Sequence, residues 1–370
     1  MSQDSALQFF LGANTSNGFV SYFPNCYSKD YKVFVLKGTP GSGKSTLLKK
    51  LCADGPKPCE LIFCSSDPDS LDGVIFPVQR VVILDGTAPH VVEPAYIGAV
   101  ERLVNLGEAL DFDGLAEDKE AVIRLTEQNT ALHKRAARYL NAAGTLLRDN
   151  CLLEADTLDA QKILRCAGRI AHRELPKTDK NTPQNGQESI RFLSAITPKG
   201  PVFFGETLTA LADKIYSLRD ETGAAAKLFM SAMRKLCLKN GLSIIVCPCP
   251  LSPADKIDHI IVPDLRLAFT TANKYHRLPA DDSPQTVHRS IHARRFADPA
   301  LSFLCKEKIA FNQKASAEIL KEAVSIMRQA KEVHNALEAC YGRHIHFDTV
   351  NALTEELMKT LRLTEENSVK

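Results

Sequence analysis

Apolar residues early in the chain fall in short runs that predict buried strands. Residues 32–36, 60–64 and 81–85 are rich in β-branched, aromatic and other apolar side chains, as buried strands are. Residues 45–51 instead repeat apolar positions at helical spacing, so they predict a helix. Strands that alternate with helices indicate an α/β fold.

Longer patterns predict extended helices in two places. Residues 118–148 contain few helix breakers and a repeating apolar face, and residues 158–170 form a second helical stretch. Residues 315–341 and 349–361 show the same pair of patterns near the end of the chain. Such helices fit a lid, a dimer surface or a layer over one side of a sheet.

The most specific motif lies between the strand at 32–36 and the helix at 45–51. Residues 38–45 match the phosphate-loop pattern G-x-x-x-x-G-K-[ST]. Glycines let the backbone curl around phosphate oxygens, and the loop amides and helix N-terminus attract the anion. Lys44 is predicted to contact the β- and γ-phosphates, and the Ser45 hydroxyl to bind Mg²⁺. The candidate phosphate-binding residues are Gly38, Thr39, Pro40, Gly41, Ser42, Gly43, Lys44, Ser45 and Thr46.

The chain contains an internal repeat. Phe10 and Gly18 recur as Phe192 and Gly200 at the same spacing, and other short matches follow in the same order. These include residues 32–36 with 214–218, residues 119–122 with 321–324, and His133 with His334. We predict two tandem three-layer α/β domains of the P-loop NTPase type, each with a helical appendage. Their predicted bounds are 1–175 and 190–370, joined by a polar linker at 176–189.

The second copy is predicted to be degenerate. Aligning the helices places Phe229 opposite Lys44 and Met230 opposite Ser45, while a gapped alignment pairs Lys227 with Lys44. Either alignment replaces glycines by alanines, whose Cβ atoms would crowd a phosphate. We expect no nucleotide in this copy.

Acids that occur only in the first copy are candidates for nucleotide chemistry. Asp85 follows four apolar residues, as the Mg²⁺-side carboxylate of a P-loop site does, and Thr271 stands opposite it in the second copy. Asp67 aligns with Pro253 in the second copy, so this acid also occurs only in the first copy. It is a candidate to orient water or to accept a proton. Its other interpretation is a turn residue.

Asp69 and Asp72 have counterparts in Asp255 and Asp258, so they are predicted to be turn or cap residues. His90 has a counterpart in His276, which favours a structural role. Arg289, Arg294 and Arg295 form a basic cluster in the second copy. They are either a candidate arginine finger for the γ-phosphate or an ordinary solvated face.

Composition changes this picture little. The 370 residues are 44% hydrophobic and 24% charged, with a formal net charge of +2, which counts against nucleic acid as a partner. Neither a membrane span nor a secretory signal is apparent, so we predict a cytoplasmic protein without a membrane partner. The 11 cysteines include no C-x-x-C pair, so the spacing predicts no zinc or redox site.

Three segments, 38–46, 64–72 and 85–90, resemble a family of poorly characterised bacterial P-loop ATPases of Gram-positive type with two tandem nucleotide-binding halves. The resemblance implies ATP binding and hydrolysis, but no further substrate. The second half of that family often carries a phosphate loop as well, and this chain departs from that pattern.

The leading hypothesis is a Mg²⁺-dependent ATP-binding NTPase with one working half. Lys44, Asp85 and Asp67 are its candidate catalytic residues, and Ser45 and Asp85 its candidate Mg²⁺ ligands. One alternative is a small-molecule or nucleoside kinase with Asp67 as the base. Another is a nucleotide sensor that does not hydrolyse ATP. A protein partner or a homo-oligomer stays open.

Overall fold

The structure is a computed structural model that describes residues 6–177, 186–278 and 286–368. Residues 178–185 of the predicted linker therefore lie outside the described residues. Two mixed β-sheets of six strands each carry helices on their outer faces, so the predicted α/β class is confirmed. We call residues 6–177 the front half and residues 186–368 the rear half.

The front half contains one six-stranded sheet, a small hairpin and four α-helices. The sheet has the strand order β1-β5-β6-β7-β4-β8. The elements are β1 (Leu7–Phe9), β2 (Gly12–Thr15), β3 (Gly18–Ser21), β4 (Lys32–Lys37), α1 (Lys44–Asp54), β5 (Glu60–Phe63), β6 (Leu71–Phe76), β7 (Val81–Asp85), β8 (Glu101–Asn105), α2 (Phe112–Leu115), α3 (Lys119–Ala155) and α4 (Ala160–Glu174).

The rear half repeats this layout. Its sheet has the order β9-β13-β14-β15-β12-β16, which is the front order with each strand replaced by its counterpart. The elements are β9 (Glu188–Ile190), β10 (Ser194–Thr197), β11 (Gly200–Phe203), α5 (Gly205–Leu211), β12 (Lys214–Arg219), α6 (Ala224–Lys239), β13 (Ile244–Pro248), β14 (Ile257–Val262), β15 (Leu267–Ala272), β16 (Val287–His292), α7 (Pro299–Gly342) and α8 (Phe347–Ser368).

Successive side chains of each central strand enter different cores. On β4, Phe34 and Leu36 pack on the helical side, while Val33 and Val35 enter a core shared by both halves. This alternation follows from the two-residue period of a strand. The shared core also contains Val82 and Leu84 of the front sheet and Ile215, Ile261 and Ala268 of the rear sheet. Helices α1 and α6 therefore lie on one face of their own sheets, and the other faces of both sheets meet in the shared core, which also contains Leu208 of α5.

The last helix of each half packs on the other half. The core beneath α6 includes Ile163 and Ile170 of α4. The core beneath α1 includes Val350 and Leu357 of α8. The predicted domain bounds at 175 and 190 follow the sequence repeat. In the packing, however, α4 of the front half lies on the rear core and α8 of the rear half lies on the front core.

Two isolated β-bridges join the halves next to the exchanged helices, one for each helix. Leu110 pairs with Ile345, and Leu158 pairs with Ala297, each in antiparallel fashion. The two bridges relate the halves by an approximate two-fold axis. A third bridge joins Phe10 to its counterpart Phe192, with N···O distances of 2.9 and 2.8 Å.

The long helices α3 and α7 lie antiparallel against each other. Asn312 near the start of α7 donates to Asp149 near the end of α3 at 2.8 Å. Small residues let the helices approach, and they include Ala136, Ala143, Ala323 and Ala330, which are all buried. The helices are therefore neither a lid nor a free surface along this contact.

The equivalence of the long helices differs from the sequence alignment. The bridges make Leu110 correspond to Ala297 and Leu158 to Ile345, so Ala136 corresponds to Ala323 and Gly144 to Lys331. The predicted pairing of residues 119–122 with 321–324, and of His133 with His334, was wrong. Repeating apolar faces match at several helical registers, which is why the alignment slipped.

None of the helices in the described ranges combines the length and apolar character that crossing a membrane requires.

Candidate functional site

The loop between β4 and α1 lies at the carboxyl edge of the front sheet. There β4 is flanked by two parallel strands, β7 and β8. Gly41 and Gly43 have φ angles of +72° and +84°, in the left-handed region that other residues rarely adopt. Helix α1 begins at Lys44, with Gly43 as an N-cap that has no side chain. The first amides and the dipole of α1 therefore suit an anion at this end.

Lys44 folds back over the loop towards an acid. Its Nζ donates to the carbonyl oxygens of Gly38 and Thr39 at 3.1 and 2.8 Å, and lies 3.8 Å from Asp85 Oδ2. Asp85 is only 9% exposed. The backbone N and the hydroxyl of Thr87 donate to Asp85 Oδ1 at 2.9 and 2.6 Å and so orient the carboxylate. The loop lysine and the strand acid thus lie together at one sheet edge.

Oxygen donors near Lys44 fit a hard cation. Ser45 Oγ accepts a hydrogen bond from the backbone N of Leu71 at 2.9 Å. Thr39 Oγ1 is buried and has no hydrogen-bond partner among the described residues. A hydroxyl and a carboxylate are ligands that Mg²⁺ accepts, together with water and phosphate oxygens. The chemistry of Ser45 and Asp85 therefore fits the predicted metal.

Asp67 is held in an ion pair with the rear half. Its Oδ2 lies 2.5 Å from Nζ of Lys331 on α7 and accepts from the Ser70 hydroxyl at 2.7 Å. Burial alone would raise the pKa of Asp67, but the hydrogen bonds from Lys331 and Ser70 outweigh it and lower this pKa. A carboxylate stabilised as its anion is a weak base. The catalytic role of Asp67 stays a prediction, and this ion pair weighs against it.

Helices of the rear half cover the front loop. A Cβ atom on Gly41 would lie 2.6 Å from the backbone oxygen of Glu338 on α7. A Cβ atom on Gly43 would approach Val350 and Phe347 of α8 at 3.5 and 3.6 Å. Glycine is therefore required at Gly41 for the close passage of α7 as well as for its backbone angle.

The sequence did not predict Lys331 as part of the site. Its counterpart in the first copy is Gly144, so a comparison of the two copies at the correct register would have marked Lys331 as a charge present on one side only. The incorrect register of the long helices concealed this signal.

The rear loop is shorter than the front loop. It spans residues 220–223, against 38–43 in the front, and Gly223 is the N-cap of α6 with φ +81°. Gly223 thus corresponds to Gly43. The residues that replace Lys44 and Ser45 are Ala224 and Ala225.

This equivalence corrects the sequence alignment of the two loops. Phe229, Met230 and Lys227 all lie farther along α6 than the positions of the phosphate-binding residues. The rear loop is two residues shorter than the front loop, whereas both alignments placed the counterpart of Lys44 several residues too late in α6. At the corrected register the rear loop has lost both the lysine and the hydroxyl.

Asp220 places its own carboxylate in the rear loop. Its Oδ1 accepts from the amides of Thr222 and Gly223 at 3.1 and 2.8 Å, and its Oδ2 from the amide of Ala226 at 2.9 Å. These backbone donors are of the kind that bind a phosphate in a P-loop. A built-in anion therefore occupies the N-terminal end of α6.

A cavity of about 270 Å³ lies beside the rear loop. Gly144 and Arg148 of α3 form one wall, and Lys227, Lys256 and Asp258 belong to the rear half. Helix α3 therefore approaches the rear loop as α7 approaches the front loop. Gly144 stands at the rear where α7 has Lys331, and a Cβ atom on Gly144 would lie 3.1 Å from the backbone oxygen of Leu251, so α3 passes close to the rear half at this point.

The basic cluster lies in the rear half. Arg289 is on β16, and Arg294 and Arg295 are in the 3₁₀ turn Ala293–Phe296. Burial and the nearby Asp220 raise the pKa of Glu154 at the end of α3, while Arg294 acts in the opposite direction. Arg294 therefore belongs to the surroundings of the rear loop. Among the described residues, no hydrogen bond or ion pair joins these arginines to the front loop, which does not support an arginine finger.

A buried cluster of three polar residues lies at the same edge of the front sheet. Cys64, Asp72 and His90 each offer a ligand-type atom, and these atoms all lie within 4.8 Å of one another. Burial raises the pKa of Asp72 to about 6, an effect that His90 partly offsets and Asp85 increases. Asp72 lies within β6, so its predicted role as a turn or cap residue was wrong.

Comparison with known proteins gives no relatives for this chain. No family model, curated protein or solved structure matches it.

Proposed function

We propose that the front loop binds the phosphates of Mg-ATP and that the protein hydrolyses the nucleotide. The observation that carries this proposal is the approach of Lys44 to Asp85 beside a loop with two left-handed glycines. The proposal includes a P-loop NTPase type of fold for each half. The parallel strands on both sides of β4 support it. A cytoplasmic location belongs to the same proposal.

The roles follow from the geometry of the loop. The amides at the start of α1 would bind phosphate oxygens, and Lys44 would turn its ammonium from the loop carbonyls towards the β- and γ-phosphates. Ser45 and Asp85 would hold Mg²⁺, which neutralises charge on the phosphates when bound. Thr87 orients Asp85 and would lie beside the water that attacks the γ-phosphate. Positioning and charge stabilisation would supply most of the rate.

A nucleotide sensor is the second candidate. The contact of Glu338 with Gly41 and the ion pair of Lys331 with Asp67 join the rear half directly to the front loop. Phosphate binding that shifts this loop would therefore change the packing of α7. A sensor predicts tight binding without turnover. The kinase alternative is less favoured, because its proposed base is paired with a lysine.

Calorimetric titration of the full-length protein with Mg-ATP tests the binding proposal. We expect one site per chain, and Lys44→Ala should abolish the heat of binding. Lys227→Ala is the matched control, since this lysine was the gapped counterpart in the rear half, and it should bind normally. No heat with the native protein, or equal loss in both variants, would overturn the proposal. Release of phosphate with and without Mg²⁺ then separates an NTPase from a sensor.

A further inference from the structure

The geometry of Cys64, Asp72 and His90 fits the coordination of one metal ion. His90 Nε2 lies 3.0 Å from Asp72 Oδ2 and 4.0 Å from Cys64 Sγ. Zinc bonds of about 2.0–2.3 Å in a tetrahedral arrangement separate neighbouring ligand atoms by about 3.3–3.7 Å. Since all three separations are at most 4.8 Å, shifts of up to about 1 Å would bring the three atoms to one ion.

The same cluster does not have the geometry of a nucleophilic triad. In a triad the thiol contacts one ring nitrogen of the histidine and the carboxylate contacts the other. Here the thiol and the carboxylate both approach Nε2 of His90. Two ligands beside a single nitrogen are the arrangement expected around a shared cation.

Some polar atoms of the cluster and its surroundings lack a hydrogen-bond partner. Asp72 Oδ2 and His90 Nδ1 are buried without a hydrogen-bond partner among the described residues, and so is the hydroxyl of the adjacent Ser65. The 3.0 Å approach of Nε2 to Oδ2 does not have hydrogen-bond geometry, so the imidazole is not directed at the carboxylate. Buried polar groups normally have partners, and those without one require an explanation.

The equivalent cluster of the rear half differs in charge rather than in hydrogen bonding, because Asp258 Oδ1 and Oδ2 and His276 Nδ1 also lack a hydrogen-bond partner among the described residues. The amide of Cys64 donates to the carbonyl of Ser70 at 3.0 Å, and the amide of Cys249 donates to the carbonyl of Lys256 at 2.9 Å. Ser70 and Lys256 are therefore equivalent positions. The rear counterparts of Asp72 and His90 are Asp258 and His276. Lys256 Nζ lies 2.8 Å from Asp258 Oδ1 and neutralises the buried carboxylate.

The front cluster has no such internal cation. Ser70 stands where the rear half has Lys256, and among the described residues no lysine or arginine forms an ion pair with Asp72. A buried carboxylate requires a compensating charge. The difference between Ser70 and Lys256 therefore leaves room at the front for an external cation.

We propose that Cys64, Asp72 and His90 bind a zinc ion, with water or another oxygen as the fourth ligand. A thiolate, an imidazole and a carboxylate are together the donors that zinc favours, whereas Mg²⁺ and Ca²⁺ bind oxygen almost alone. The ion would tie the segment 64–72, which carries Asp67, to the segment 86–90 that follows Asp85. The site is independent of the nucleotide proposal.

Metal analysis of the full-length protein tests the proposal directly. After growth with zinc and removal of free metal, we expect one zinc per chain. Metal-stripped protein should take up Co²⁺ with a thiolate-to-cobalt absorption band. Cys64→Ser and His90→Ala should lose both signals, with circular dichroism reporting the fold of each variant. Cys249→Ser is the matched rear control and should keep them. Native protein that binds neither ion, or a control that loses both, would overturn the assignment.

Substitutions at the equivalent positions 70 and 256 should remove the front zinc site or create a second site at the rear. Ser70→Lys should supply the missing charge and exclude zinc from the front cluster. Lys256→Ser should remove the charge at the rear and raise the stoichiometry from one zinc to two. Native protein with one zinc that is unchanged by Ser70→Lys would contradict the role of Ser70 and place the ion elsewhere.

Discussion

Lys331 on α7 lies 2.5 Å from the carboxylate of Asp67, so a helix of the rear half supplies the counter-ion for an acid beside the front loop. Both side chains are largely shielded from solvent, at 23% and 14% exposure. The two halves therefore meet at the candidate site through a specific charge pair as well as through apolar packing.

Lys331→Met should destabilise the protein by about 1–3 kcal/mol, because it leaves a largely buried carboxylate without its counter-ion, with only the Ser70 hydroxyl and a long bond from the Asp69 amide as partners. Urea unfolding measures the change. Lys321→Met is the control on the same helix, where the lysine is 73% exposed and pairs with Glu318. That control should change stability by no more than about 0.5 kcal/mol. Equal effects of the two variants would show that the pair is not stabilising.

The same pair should make stability depend on pH in the acid range. The pKa of Asp67 is below its ordinary value of 3.8, so its contribution is fully present above that value. The contribution is lost as the pH falls through the lower folded-state pKa. The stability difference between native protein and Asp67→Asn should therefore shrink below pH about 4. Unfolding curves at several pH values measure it, with the exposed Asp69→Asn as control. A difference that does not vary with pH would contradict the ion pair.

Asp85→Asn should spare nucleotide binding and abolish turnover that depends on Mg²⁺. The amide keeps the shape of the side chain but removes the charge that would help hold the metal, so kcat should fall by about 100-fold or more. Phosphate release and calorimetry, run on the same samples, separate the two effects. If Asp67→Asn abolished hydrolysis while Asp85→Asn hydrolysed ATP normally, the metal carboxylate would be assigned to the wrong residue.

Asp220→Ala should destabilise the rear half by about 0.5–2 kcal/mol, since it removes the acceptor for three backbone amides near the start of α6. The variant should still bind no ATP at the rear, because Ala224 provides no ammonium group. Thermal unfolding with and without Mg-ATP measures both properties. Asp264→Ala, at an exposed turn, is the control. A variant as stable as that control would refute the capping role.

Leu357→Ala on α8 should lower the local stability of the front half, although the residue belongs to the rear half of the sequence. Leu357 is 5% exposed in the core beneath α1, so its truncation should cost about 2–5 kcal/mol. Hydrogen exchange should speed up in α1 before α6. Ile170→Ala on α4 is the mirror variant and should affect α6 first. Loss of protection in the same half as the mutation would contradict the exchange of helices.

Local patterns predicted much of the chain's secondary structure. The run at 81–85 forms β7 at those bounds, and the run at 32–36 extends by one residue to form β4. The helix predicted at 45–51 spans Lys44–Asp54 in the structure. The helix predicted at 315–341 begins much earlier, at Pro299. The carboxyl ends of parallel strands meet at one edge, so the closeness of Lys44 and Asp85 followed from the strand predictions.

Features that depend on long-range packing were not predictable in this way. An amphipathic helix shows which of its faces is apolar, but it does not show which sheet will cover that face. The pattern of residues 158–170 therefore gave no sign that α4 would pack on the rear sheet. The cluster of Cys64, Asp72 and His90 unites three separated positions. Its spacing is not that of a known metal motif, and the absence of C-x-x-C pairs argued against a site.

Because α4 and α8 are exchanged, neither half possesses a complete set of its own packing elements. A polypeptide of half this length would expose the apolar groove that its neighbour's helix now fills. Two such polypeptides could satisfy both grooves at once by swapping helices in a symmetric homodimer. The tandem chain is thus equivalent to a fused, swapped dimer, in which covalent linkage frees one subunit to diverge while its helix still serves the other.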